Sequence, residues 1–429
     1  MLAAFKSYRN VEKHIVRLIV AECFIQLINA AFMIALLVYM EKLGYSDDVS
    51  AHYQKYRFLG VLALAIPIGI YIRGRKIKPL LYLSTIMVPV SALLIIYSVE
   101  YHKPWLIYLS HLTWGAGFVF MQVGVMPYIL RNASKATQTE AISLSHSTWS
   151  IAGVISGLAF FILQFTMPQW FDEKIVMQIF GVMAFCAFFI IYSIDIHENL
   201  NDPAMQERHH DVLDMNDKED EPAVRPRFFD YDWGLIAVAM IPTTLIAVGA
   251  GLTIPFISLF FYKVHRVDTD MFSVWACVTM VLVSFSTVLV PHIKRKLGYK
   301  LAIPLTQSVS IMALVGLAST ELFAGHYLAP AIAIFFYVAR QPLMNMAAPM
   351  TSEVTMNYVG KKNQEMVSAL TASIWSGGWY ISSLVFESMR KVDFSFATIF
   401  LVTGAFYAVG VFSYHLLTVD CERKGRLPV

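Results

Sequence analysis

The stretch Ala331-Ile-Ala-Ile-Phe-Phe-Tyr-Val-Ala-Arg340-Gln-Pro-Leu-Met-Asn345-Met-Ala-Ala-Pro349 places one cation in the middle of a long apolar run. Its length is that of a helix crossing hydrocarbon, about 20 residues. A guanidinium cannot shed its proton, so inside a bilayer it needs an anionic partner or a water-filled cavity. On this reading every other Lys and Arg falls at a helix end or in a loop. Arg340 therefore points most directly at what the protein handles.

The rest of the chain agrees with a membrane setting. Of its 429 residues 57% are hydrophobic and 15% charged, and the mean hydropathy is +0.58. Soluble domains carry about 25% charged residues. The four cysteines, Cys23, Cys186, Cys277 and Cys421, have no metal-ligand spacing, so no zinc or disulfide framework is expected. The first apolar segment follows Lys6, Arg9, Lys13 and Arg17 and is too long for a signal-peptide core; it reads as a retained helix.

The pattern predicts an all-α integral membrane protein with twelve spans. They lie near 14–40, 55–73, 80–99, 104–129, 141–166, 174–194, 233–262, 271–293, 299–321, 327–350, 364–387 and 393–418. With the N-terminus in the cytoplasm, the inside segments receive Arg73, Arg75, Lys76 and Lys78, then Lys294, Arg295, Lys296 and Lys300, and the tail Arg423, Lys424 and Arg426. The outside loops receive fewer. The positive-inside rule thus puts both termini in the cytoplasm, and a bacterial inner membrane is the expected location. Between spans six and seven runs the polar stretch 195–232, with Glu207-Arg-His-His-Asp211 and Asp217-Lys-Glu-Asp-Glu221. His209, His210 and Asp211 have a metal-site composition, but charge runs of this kind are usually solvated linkers.

The halves on either side of this linker repeat. Glu140, Ser143, Trp149 and Ser150 at the start of span five match Glu365, Ser368, Trp375 and Ser376 at the start of span eleven with a one-residue gap. Gln122 and Pro127 in span four correspond to Asn345 and Pro349 in span ten. The predicted organisation is a bundle over 1–194, a linker over 195–232 and a second bundle with a short tail over 233–429, the parallel duplication of many transporters.

At this point the chain resembles the major facilitator superfamily (MFS). That family's loop signature, G-x-x-x-D-R-x-G-R-[RK], survives in part as Gly74-Arg75-Lys76 and again as Arg295-Lys296-Leu-Gly298-Tyr-Lys300. The aspartate is missing from both, which leaves the family's usual charge latch in question. Gly249-Ala-Gly251-Leu-Thr-Ile-Pro255-Phe in span seven also resembles the family; it reads either as a gating bend or as close small-residue packing. Gly74, Arg75, Gly298, Gly251 and Pro255 are accordingly the candidate conformational residues.

The resemblance implies that spans one, four, seven and ten surround a central cavity. Glu22, Gln26 and Asn29 in span one fall on one helical face, and so do His111, Gly115, Phe118 and Gln122 in span four. Span ten adds Tyr337, Gln341 and Asn345 near Arg340, and span eleven offers Trp375 and Trp379 as an aromatic wall. Arg340 reads as an anion-recognition residue or a static ion pair. Glu22 reads as a proton-coupling acid or as a partner of Arg17 or Arg340. Glu387 and Arg390 read as an outer gate element or an interfacial anchor.

The function predicted is secondary active transport by alternating access of a small anionic or zwitterionic solute, coupled to protons. The alternative is a proton antiporter exporting amphiphilic compounds, to which the 21 methionines lend a loose pocket. No nucleotide-binding glycine loop, H-E-x-x-H or nucleophile elbow occurs in the sequence, so neither an enzyme nor an ATP-driven pump is expected. No cofactor and no nucleic acid is expected; the partners are solute, protons and lipid, and the protein is expected to be a monomer.

Overall fold

The computed structural model describes residues 11–72, 75–134, 137–194 and 231–425. Helices make up nearly all of it: α1 (Lys13–Lys42), α2 (Asp47–Tyr71), α3 (Lys78–Glu100), α4 (Pro104–Asn132), α5 (Gln138–Thr166), α6 (Glu173–Met183), α7 (Cys186–Tyr192), α8 (Trp233–Thr253), α9 (Ile257–His265), α10 (Thr269–Ser319), α11 (Ala329–Val359), α12 (Lys361–Lys391) and α13 (Phe396–Arg423). Nine stretches among the described residues are long and apolar enough to cross a membrane. The more polar α2, α11 and α12 are of spanning length too, and with them the spans number twelve, as the sequence predicts.

Several boundaries follow from local chemistry. Gly298 interrupts α10 with φ 64°, a left-handed conformation that suits glycine, and so separates two spans. Gly360 does the same between α11 and α12 with φ 74°. The Asp232 side chain accepts the Leu235 N–H at 3.0 Å and caps α8. Pro255 brings no N–H to the helical ladder, and α8 gives way there to a 3-10 turn over Ile254–Phe256 before α9 resumes. Two expectations need correction. Span six is broken, α6 ending at Met183 and α7 starting at Cys186, with no Gly or Pro at the break. The second span begins at Asp47, so Lys55 and Arg57 are not loop residues; both lie inside α2 and both are buried.

The chain divides into two compact units, one from the described residues of 1–30, 60–153 and 177–225, the other from those of 31–59, 154–176 and 226–429. Residues 31–59 and 154–176, which the predicted division places in the first bundle, thus pack in the second unit. The 195–230 stretch of the predicted linker lies outside the described residues. In the first unit α3 lies along α4, and in the second α10 lies along α11 while α8 packs on α12 and α13.

Small residues set the α8–α12 approach. A Cβ on Gly251 would come within 2.6 Å of Ser382 Oγ, and one on Gly378 within 2.8 Å of Ala247 Cβ. In a membrane such close contact is what holds helices together, since lipid is as apolar as leucine. Gly378→Ala should therefore destabilise by about 1–3 kcal/mol. Gly404→Ala, whose new methyl would meet only Ile311 Cγ2 at 3.9 Å, should leave the thermal midpoint in detergent nearly unchanged. Equal midpoints for the two variants would remove the close-packing account.

Candidate functional site

In the first unit a cavity of about 210 Å³ lies among α1, α4 and α5. Glu22 and Gln26 enter it from α1, one helical turn apart. From α4 come Phe118, Met121, Gln122, Val125 and Met126; from α5 come Ser145, His146, Thr148 and Trp149. The i, i+4 spacing on α1 and the 118, 122 and 126 positions on α4 explain why these side chains share one space. Glu22 is buried, and Ser145 Oγ donates to its Oε2 at 2.7 Å. Gln122, His146 and Trp149 are exposed, so the cavity is not enclosed. Glu22 brings the only carboxyl group to this lining; two amides, two hydroxyls and an imidazole complete its polar part, facing aromatic and thioether surface. That set can hold a polar solute by hydrogen bonds and can take up or release a proton. Asn29 lies one turn further along α1, its amide donating to Gln26 Oε1 at 3.3 Å.

In the second unit Arg340 is 1% exposed. Its Nη2 donates to the Tyr407 hydroxyl at 3.0 Å, and its backbone carbonyl accepts from Ser310 Oγ at 3.0 Å. Nε and Nη1 have no hydrogen-bond partner. Tyr337, one turn earlier on α11, is buried beside the rings of Phe261 and Phe272. Gln341 is buried, whereas Asn345 is exposed and spends its amide on the Gln341 carbonyl at 2.9 Å. The expected polar stripe of span ten is therefore split between core and surface. Trp375 is 38% exposed; Trp379 packs its ring edge-on to Phe58 at 5.2 Å.

A third cluster in the second unit gathers charges from elements far apart in sequence. Asp47, at the start of α2, accepts from Lys263 of α9 at 2.9 Å and from Arg390 of α12 at 2.7 Å. Glu387 of α12 meets Lys55 at 2.7 Å, His52 at 2.9 Å and Lys391 at 2.7 Å. Lys263 also reaches Glu41 at 3.3 Å, and Lys42 pairs with Glu173 at 2.7 Å. Both central acids are largely shielded, with side chains 3% and 7% exposed. Lys391, past the last apolar turn of α12, is held above its ordinary proton affinity by hydrogen bonding to the Glu387 carboxylate. Of this cluster the sequence singles out Glu387 and Arg390 alone.

The predicted conformational residues separate. Gly74 lies outside the described residues. Arg75 places its guanidinium over the Tyr71 ring at 4.5 Å. The carbonyls of Ile72 and Arg75 accept from Arg131 at 2.7 and 2.8 Å. Gly251 is a packing residue and Pro255 marks the helix interruption described above. Near the Gly298 turn, Lys294 pairs with Glu353 of α11 at 2.9 Å. Among the described residues no group of His, Cys, Asp and Glu is arranged to hold a metal ion.

Comparison with known proteins bears on all of this. Residues 2–157 match the sequence model of the Major Facilitator Superfamily. No curated protein matches. Among solved structures, a bacterial homologue of the human lysosomal transporter Spinster, inward-facing and unoccupied, aligns with a TM-score of 0.69 at 12% identity over 97% of this chain and 98% of its own. A D-xylose-proton symporter aligns with a TM-score of 0.69 at 11% identity over 93% and 96%. The POT family transporter PepTSo aligns with a TM-score of 0.72 at 12% identity over 96% and 98%. At such identities the likeness establishes the fold over almost the full chain.

Proposed function

We infer that this chain is a member of the major facilitator superfamily and a secondary active transporter that moves a small organic solute together with protons, by alternating access. The family match over residues 2–157 and the transporter fold support this reading over an enzyme. The observation that carries the proton-coupled reading is the buried Glu22 carboxyl facing the α1–α4–α5 cavity with Ser145 as its hydrogen-bond donor. A carboxyl taken out of bulk water in a cavity that is not enclosed can exchange a proton with whatever occupies it. Gln26 and Gln122 supply neutral hydrogen bonds that suit a polar solute in either protonation state.

With both termini cytoplasmic and 1–194 and 233–429 as the duplicated halves, the Asp47–Glu387 ion cluster lies on the outer side and serves as its gate. Gating by charge pairs that re-form suits a carrier that exposes its site to one side at a time. The solute is anionic or zwitterionic, Arg340 being the feature that favours a negative group. A bacterial inner membrane and a monomer complete the reading.

The test is reconstitution into liposomes with a trapped pH indicator. Adding amino acids, short peptides, sugars or carboxylates to the outside should, for some of them, move protons with the solute. Solute movement that depends on sodium and leaves internal pH unchanged would overturn proton coupling. A second reading, export of amphiphilic compounds, draws on Phe118, Met121, Met126 and Trp149 in the same cavity. It requires lipophilic cations to evoke proton movement in the opposite direction.

A further inference from the structure

The Glu387 end of the ion cluster holds two contacts that no single protonation state can satisfy. His52 Nδ1 stands 2.9 Å from Glu387 Oε1 and 2.8 Å from Lys55 Nζ. An ammonium only donates and a carboxylate only accepts. The first contact therefore needs a proton on Nδ1, and the second needs that nitrogen bare. Burial decides between them for the neutral ring. The Lys55 side chain is 9% exposed. Its acceptors among the described residues are Glu387 Oε2 at 2.7 Å and His52 Nδ1, with the Tyr56 ring 5.8 Å away. Glu387 Oε1, by contrast, already accepts from Lys391 at 2.7 Å. Lys55 has more to lose, so the neutral ring carries its proton on Nε2 and accepts from Lys55.

The surroundings have no use for a further positive charge. Glu387, Asp47, Asp48 and Glu41 balance Lys55, Lys391, Lys263 and Arg390 one for one. The remaining groups against His52 are the Tyr53 and Tyr56 rings, at 6.0 and 5.8 Å. An imidazolium here would gain Glu387 and lose the Lys55 bond. It would also stand between two cations, Lys55 at 2.8 Å and Lys391 on the same carboxylate oxygen. Poorly screened repulsion from both outweighs a share in one carboxylate.

We propose that His52 is a proton-operated switch on the α2–α12 contact. The neutral ring accepts from Lys55 and keeps the two helices joined; the imidazolium breaks that bond and drives Lys55 from Glu387. The joined arrangement favours the neutral ring, so its stability is present in alkali and lost as pH falls through the histidine range, from about pH 8 to about pH 5. The switch stands on this geometry alone. That it opens an outer gate to protons from outside rests on the transporter reading above.

The experiment is amide hydrogen exchange of the purified full chain in detergent at about pH 8 and about pH 5, with labelling times scaled for the chemical exchange rate. Segments 43–57 and 387–394 should open about tenfold or more often in acid, one proton being worth up to about tenfold per unit of pH. His52→Gln keeps an acceptor for Lys55 and cannot charge, so its exchange there should be the same at both pH values. Lys55→Met removes the cation that the imidazolium repels. His52 then becomes the α2 cation on Glu387, and acid should slow exchange in these segments instead of speeding it. A role in packing alone predicts no such reversal. Equal exchange of the wild type at both pH values overturns the proposal, as does acid acceleration that persists in His52→Gln or in Lys55→Met. Loss of acid acceleration in His52→Gln, with the dependence of uptake on external pH unchanged, would keep the switch and sink the gate. Uptake that depends on external pH, with exchange indifferent to it, would sink the switch and spare the gate.

Discussion

Glu22→Gln protein in liposomes is expected to exchange solute across the membrane and to lose proton-driven accumulation. The substitution keeps size and leaves an oxygen for Ser145, which donates to Glu22 at 2.7 Å, so the cavity should keep its shape. It removes only the group that can gain and lose a proton. Coupling to one proton supports about a tenfold concentration ratio per unit of pH gradient, 1.4 kcal/mol being a factor of ten. The variant's ratio should fall to one, while labelled-solute counterflow persists at a comparable rate. Accumulation that still follows the pH gradient in this variant would transfer the coupling role elsewhere, His146 being the other titratable lining residue.

Asp47→Asn is expected to loosen the end of the second unit where α2, α9 and α12 meet. Asp47 is the shared acceptor of Lys263 and Arg390 and is 3% exposed. Removing one partner of a shielded charge cluster costs about 3 kcal/mol, since Arg390 loses its carboxylate and Lys263 keeps only Glu41 at 3.3 Å. Amide hydrogen exchange of segments 43–57 and 387–394 should accelerate about a hundredfold or more, 1.4 kcal/mol corresponding to tenfold. Exchange should be unchanged in α3 and α4 of the other unit. Unaltered exchange near Asp47 would mean that packing, such as the stacked Phe256 and Phe386 rings at 3.6 Å, holds this end without the charges. High salt should mimic the variant only weakly, because shielded pairs are poorly screened.

These two expectations rest on residues of very different visibility in the sequence. Glu22, Gln26 and Gln122 could be grouped beforehand, because polar residues one turn apart in an apolar helix stand out and share a face. Ser145 and Thr148 could not: hydroxyls are common in membrane helices, and nothing in α5 says which of them meets a carboxylate over 100 positions away. Arg340 is visible as the one cation inside its run, but Tyr407, its hydrogen-bond partner, lies 67 residues on in a helix with no matching signal. The charge cluster was hidden for a different reason. Asp47, Lys55 and Arg57 lower the hydropathy of the first turns of α2, so the span read from hydropathy starts late and turns its own buried cations into loop residues. The twelve-span count holds because length is a property of each segment alone: nine stretches are long and apolar, and α2, α11 and α12 are counted on length. Asn345 and Trp375 show the limit of stripe reading, since residues close in register can face core and surface in turn.

The way Arg131 is used has a consequence for how the chain tolerates change. Its guanidinium grips the carbonyls of Ile72 and Arg75, so it recognises main chain, which every residue possesses. An arginine held by a side-chain acid is lost when that acid mutates; one held by carbonyls is indifferent to the identity of the residues presenting them. The aspartate absent from this loop thus has no vacancy to leave at Arg131. Substitutions at the exposed Arg75 should spare expression and thermal midpoint, whereas deleting a single residue between Ile72 and Lys78 should lower both, because the spacing of the two carbonyls is what the guanidinium measures. In evolutionary terms the loop is free to drift in letters and bound in length.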